Sequence, residues 1–322
     1  SNILKNTLKL LQAGKIQMTN YPDFFKEGYQ LKIDKDVYHY LDRVASQNFD
    51  GQIRGLCHRT VRALVNIYKL KSKEELTETI GHILEYLAGC YDGEKNSPEI
   101  QRLKGMLREF EEDLAWAHYG VQVDDIYHLR LGFYKGDIFT EIPERRRDVE
   151  PILNLIRQTN PNIITLALDP EGSGPDTHYK VLQAIAEAIR IWGEEKDLSN
   201  VRIWGYRNVW HHFDPAEADI MFPVSLNSMA VLRDIFMTCY LSQKEASFPS
   251  YKLDGPFCDL TQKIWVEQHS TMELALGKDF WYQNERPHLR ATHGLVFLKE
   301  LAVADFLSRA RSLEESVEGI QG

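Results

Sequence analysis

The stretch DPEGSGPDTHYKV, residues 169–181, packs several groups capable of proton or ligand chemistry into one short segment. Asp169, Glu171 and Asp176 bring carboxylates and His178 an imidazole, set among two glycines and two prolines. The segment separates an apolar run, NIITLAL (162–168), from the helix-like YKVLQAIAEAIRIW (179–192). In open α/β sheets the loop leaving the carboxyl end of a strand is where ligands bind. A histidine at the start of the following helix can point its ring at that edge. There it can serve as one of the three protein ligands of a hydrolytic zinc site, whose fourth position holds a water of lowered pKa. Asp169 suits a carboxylate that orients such a histidine or a base beside the metal, and Asp176 is a second candidate. The plain alternative is that Thr177 caps a helix, His178 faces solvent, and Asp-Pro and Gly-Pro-Asp only turn the chain. Glu171 reads as a solvated loop carboxylate.

Other candidates are more scattered. Arg108 and Glu111 are three apart, hence on one helix face, where an ion pair is the default reading. Tyr134, in LGFYK, is a candidate for stacking on a sugar ring. His211 and His212 are adjacent, and neighbours on a strand face opposite ways, which makes a poor ligand pair. His288 and His293 flank the start of the last long apolar segment. LCHRT (56–60) pairs a cysteine with a histidine but lacks a nucleophile elbow and reads as helix surface. EGSGPD lacks the Lys-Ser/Thr of a phosphate-binding loop.

The elements that must position these groups change character along the chain. With 322 residues, 43% hydrophobic and 26% charged, the sequence is that of a soluble globular protein. A net charge of −9 gives no footprint for nucleic acid or an anionic membrane surface. No apolar stretch approaches the roughly 18 residues of a membrane span. Four scattered cysteines without a CxxC fit a reduced, cytoplasmic protein. Helical spacing dominates 35–118, with a capping-box start at Ser72/Glu75 and a proline suited to a first helical turn at Pro98. After that, strands are expected at 125–131, 162–168, 201–207 and 218–224. They alternate with helices near 146–159, 178–194 and 225–243, and long helices near 257–277 and 296–313 close the chain. Strands separated by helices imply parallel βαβ units. The expected fold class is therefore α/β: a Rossmann-like, mostly parallel sheet with flanking helices and a helical insertion in the N-terminal third. Residues 1–322 are read as a single domain, with a helical segment 35–118 and a main α/β part 119–322.

Four stretches in order carry a resemblance to the LmbE/PIG-L family of zinc-dependent N-acetylglucosamine deacetylases. They are REFEEDLAWAHYGV (108–121), IYHLRLGFYKG (126–136), NPNIITLALDPEGSGPDTHYKVLQAIAEAI (160–189) and VRIWGYRNVW (201–210). The resemblance is nearest to bacterial versions associated with glucosamine-6-phosphate deaminase/isomerase. It implies that His178 is a metal ligand, that Asp169 and Asp176 are catalytic, and that Arg108, Arg130 and Tyr134 contact substrate. Arg130 stands where the family has a sugar-binding aspartate, and a guanidinium there, with Lys135 nearby, suits an anionic sugar phosphate. Pro175 stands where the family often has a second histidine.

The family's N-terminal His-x-Asp-Asp motif has no counterpart here, and residues 3–20 resemble the helix and strand that come after that motif. The chain is accordingly expected to be a C-terminal fragment of a longer protein. The implied activity is metal-dependent hydrolysis of an N-acetylated amino sugar or its phosphate. It would use Zn2+ or another divalent metal once the missing ligands are supplied, and would be linked to glucosamine-6-phosphate metabolism. The alternative is a non-catalytic sugar-phosphate-binding or interaction module of the same fold. Expected partners are a small amino sugar or sugar phosphate and either a second copy or a fused deaminase domain, with neither nucleic acid nor membrane.

Overall fold

Helix starts are encoded locally in the first third of the chain. The Ser72 hydroxyl accepts from the Glu75 amide, while the Glu75 carboxylate takes the Lys71 amide, one residue earlier than a strict capping box. Ser97 accepts from the Ile100 amide and Pro98 fills the first helical position, where its missing N–H leaves no bond unmade. The computed structural model describes residues 2–14, 25, 33–91, 94–133, 141–169, 176–207, 211–244, 246 and 254–319. These fall into two compact units, Ser1–His128 with Leu232–Phe248, and Leu129–Val231 with Pro249–Gly322.

The first unit is helical: α1 (Asn2–Gln12), α2 (Ile33–Ala45), α3 (Phe49–Tyr68), α4 (Lys73–Gly89) and α5 (Pro98–His118). Leu4, Leu8 and Leu11 on α1, Val61 and Leu64 on α3, Ile80, Ile83 and Leu87 on α4, and Leu103 and Leu107 on α5 recur at helical spacing. They close into one core. Within the same unit, Thr238, Tyr240 and Ser242 are tied to α2 and α5. The Tyr40 hydroxyl donates to the Thr238 carbonyl, Tyr240 to Glu112 and Ser242 to Glu111. LCHRT corrects the expectation of a helix surface: Cys57, Arg59 and Thr60 are buried, and burial pushes the Cys57 thiol up to about 12.

The second unit holds the sheet. A π-helical turn (Arg145–Val149) leads into α6 (Glu150–Thr159), then β1 (Ile163–Ala167), α7 (Asp176–Glu195), β2 (Arg202–Tyr206) and β3 (Ile220–Ser225). The helix α8 (Leu226–Cys239) follows, its later part belonging to the first unit. The chain closes with α9 (Phe257–Leu276), the short α10 (Lys278–Tyr282) and α11 (Pro287–Arg290), β4 (Thr292–Ala302) and α12 (Val303–Glu318). The strand order is β1-β2-β4-β3. Only β1 and β2 are parallel, joined by the α7 crossover; β4 runs antiparallel to both β2 and β3. Leu166, Leu168 and Ile203 from the sheet meet Leu182, Ile189 and Trp192 of α7 and Phe306 of α12 in one core.

Two expectations are corrected. The sheet of the described residues is mixed, because 296–302, expected as helix, is the second half of β4. Its Leu, Lys, Glu and Ala residues favour helices, but strand partners on both sides override that preference. Residues 125–131 form no strand: a 3-10 turn (Val123–Asp125) opens the segment, and Arg130 adopts φ +51°, a left-handed conformation outside the extended region. Among the described residues, no helix is long and apolar enough to cross a membrane.

Candidate functional site

The parallel pair positions the opening segment. In register, Ala167 sits beside Tyr206, and the Leu168 amide extends the ladder by donating to the Tyr206 carbonyl at 2.7 Å. Leu166 and Leu168 point into the core, so alternation sends Ala167 and Asp169 to the opposite face, the one on which Tyr206 lies. Asp169 thus lies just past the carboxyl end of β1, and α7 begins over the same end.

There the Asp169 Oδ2 lies 2.7 Å from the His178 Nδ1. The aspartate side chain is buried, 6% exposed, and the histidine is 38% exposed. With the carboxylate ionised and the ring neutral, Nδ1 is the donor to Asp169 and Nε2 keeps the lone pair. The arrangement fixes one tautomer and leaves Nε2 as the atom able to take a proton, accept a hydrogen bond or ligate a metal. Tyr206, one strand over, has its phenol pushed up by burial and by the Asp169 charge. It is a polar group of this edge that the sequence reading missed. Its only advance signal was its place at the carboxyl end of a strand expected to neighbour the loop.

The other candidates go elsewhere. Asp176 lies in the first turn of α7 and its carboxylate is 3.0 Å from the Lys180 ammonium, an i,i+4 pair. Two residues apart on a helix, Asp176 and His178 diverge. Arg108 belongs to the first unit, where its charge favours ionisation of the buried Glu111 and the half-buried Glu112; desolvation outweighs it and leaves both carboxyls raised. Arg130 belongs to the second unit and is exposed. Tyr134, Lys135, Glu171 and Pro175 lie outside the described residues. His288 and His293 are exposed, and the His293 Nδ1 is 3.0 Å from the Ala291 carbonyl. His211 and His212 lie beyond β2, not on a strand.

A cleft of about 770 Å³ runs along α7 and α12, lined among others by Tyr179, Lys180, Arg190 and Arg311. His178 does not line it. Arg190 is held by Glu187 and Glu194, and Lys180 by Asp176, so these cations are already engaged.

A second Asp–His pair, in the first unit, was not foreseen. The His128 Nε2 is 2.7 Å from the Asp113 Oδ1, and the other Asp113 oxygen takes Arg59 at 3.2 Å. No feature of the sequence links residues 113 and 128; only the path of the chain after α5 brings them together.

Over 178 residues the chain is 28% identical to a protein of Bacteroides thetaiotaomicron whose name describes it as glucosamine-6-phosphate deaminase-like. The match covers 54% of this chain and 26% of that protein, so the chain spans about a quarter of its relative's length. No family model matches the chain, and no solved structure matches it.

Proposed function

We propose that the second unit binds and processes an amino sugar or its phosphate, in a reaction linked to glucosamine-6-phosphate metabolism, with the Asp169–His178 pair as its polar centre. The observation carrying this reading is the 2.7 Å contact at the carboxyl end of the parallel strands. That is where α/β sheets place ligands, and the relative's name supplies the chemical context. Asp169 holds the ring, and the His178 Nε2 is the atom presented to the bound sugar. Tyr206, beside Asp169, offers a hydroxyl to the same ligand.

The finer version is metal-dependent deacetylation, as in the LmbE-type domains that the sequence resembles, with a Rossmann-like sheet completed by further chain. A carboxylate on Nδ1 with Nε2 left over is the arrangement of a metal-ligand histidine, so the pair fits one ligand position of Zn2+ or another divalent ion. Among the described residues, no group of three or more His, Cys, Asp or Glu comes together to hold a metal. The remaining ligands would come from other residues. A bound ion would supply Lewis acidity and a water of lowered pKa.

The test is release of ammonia from glucosamine 6-phosphate and of acetate from N-acetylglucosamine 6-phosphate, with and without added Zn2+, together with binding of each sugar by calorimetry. Either product supports the reading, provided that His178→Ala abolishes its release while the fold survives. Turnover without binding loss in His178→Ala, or no binding of either sugar, refutes it. Binding without turnover identifies the non-catalytic sugar-phosphate module.

A further inference from the structure

The aim of Asp169 depends on how closely β1 and β2 approach at their carboxyl ends. On the buried face of this pair, Gly205 is in register with Leu166 and diagonal to Leu168. A Cβ placed on Gly205 would lie 2.7 Å from the Leu168 Cδ2 and 2.8 Å from the Leu168 Cβ. The first contact could be relieved by a rotamer change; the second could not, because a Cβ moves only with its own backbone. Leu168 is itself 3% exposed within the core, which leaves it little freedom to retreat.

We propose that Gly205 is a positioning residue for the Asp169–His178 pair: its missing side chain lets Leu168 close onto β2 and so sets the direction of Asp169. The Leu168 amide bonds to the Tyr206 carbonyl at 2.7 Å, which carries the ladder one residue past β1. With Leu168 seated, the next Cα–Cβ bond must leave by the opposite face, and there Asp169 meets the His178 ring. A side chain at 205 displaces the backbone of residue 168, and the hydrogen bond one residue later stretches. A carboxylate–imidazole bond is directional, and a few tenths of an ångström beyond 3 Å weakens it steeply. Gly205 touches neither His178 nor any ligand; it acts through Leu168. The inference rests on the Asp169–His178 pair being the working centre, as proposed above.

The experiment reads the pair without a ligand, so its outcome is separate from whether the sugar reading holds. Ring nitrogen shifts of His178, measured by NMR at a pH where the ring is neutral, report the ratio of the Nδ1–H to the Nε2–H tautomer. The wild type should be mainly Nδ1–H. Gly205→Ala should lower the ratio about tenfold, the factor that corresponds to about 1.4 kcal/mol of lost hydrogen bonding, with the circular dichroism of the fold retained. Gly193→Ala is the control. It lies in α7 itself, where an added Cβ would stand 3.4 Å from the Leu198 Cδ1, an ordinary contact. It should leave the ratio unchanged.

If Gly205→Ala alone fails to fold, the double variant Leu168→Ala/Gly205→Ala is read against Leu168→Ala. The Leu168 branch is then gone, but the two Cβ atoms still collide, so the loss of Nδ1–H should persist. A wild-type tautomer ratio in folded Gly205→Ala, or a double variant matching Leu168→Ala, overturns the proposal. An equal loss in Gly193→Ala overturns it as well, since any perturbation of the unit would then suffice.

Discussion

Among the described residues, two Asp–His pairs of the same length stand in opposite surroundings. Asp113 and His128 meet at 2.7 Å in the helical unit, and Asp169 and His178 meet at 2.7 Å at the strand edge of the other. Asp113 is 3% exposed and shares its second oxygen with Arg59, 1% exposed, whose guanidinium also stacks over the Phe110 ring. That aspartate is a hub between two cationic or potentially cationic groups in a packed core. Asp169 instead ends a strand, faces a more open histidine, and lies beside the Tyr206 phenol. Contact geometry alone therefore does not separate a working pair from a structural one. The surroundings differ: Asp113 also pairs with the buried Arg59, whereas the Asp169–His178 pair stands at the carboxyl end of β1, where the proposed function places the ligand.

Removing the charge from each aspartate should separate them by the widest margin. Asp113→Asn takes one carboxylate away from the buried Arg59, and breaking a buried pair in this way costs about 3–5 kcal/mol. Asp169→Asn keeps an acceptor for the half-exposed His178, and the cost there should be about 1 kcal/mol or less. Urea unfolding of the two variants measures both. Equal costs would erase the distinction between hub and edge.

A smaller effect sharpens the contrast through pH. Burial, reinforced by His39, Arg62 and Arg54, lowers the pKa of His58 in the helical unit from 6.5 to about 4. The unfolded chain takes up this proton first as the pH falls. The contribution of neutral His58 to stability is therefore full above about 6.5, declines as the pH drops toward 4, and levels off below that. The unfolding midpoint should fall between pH 6.5 and 4, and His58→Gln should flatten the part of that fall due to this group. A pH dependence identical in wild type and variant would assign the acid sensitivity elsewhere. The buried Glu111 and half-buried Glu112, both raised by desolvation, contribute in the opposite sense: their share is full below 4.5 and lost as the pH rises through their folded values.

The same contrast explains what could be read in the residue order. Asp169 and His178 were legible as a possible pair because one strand–loop–helix unit holds both, nine residues apart, and β1, α7 and β2 each carry a clear periodic signal. Asp113 and His128 were not, since their meeting depends on the path from the end of α5 through the 3-10 turn at Val123–Asp125, which no local pattern announces. β4 was misread because LKELA favours a helix, and the partners that make it a strand lie more than 70 residues away at β2 and β3. The return of 232–248 to the helical unit rests on hydrogen bonds from Tyr240 and Ser242 to Glu112 and Glu111, pairings over more than a hundred residues that no local pattern announces.

The most direct test uses both histidines in one spectrum. Glucosamine 6-phosphate and N-acetylglucosamine 6-phosphate are titrated into the protein while the ring nitrogen shifts of His178 and His128 are followed by NMR. The His178 Nε2 should move saturably with at least one sugar, and His128 should stay in place as the internal reference. If His178 is silent with both sugars, or if His128 is the ring that moves, the strand-edge pair is not the working centre of this protein.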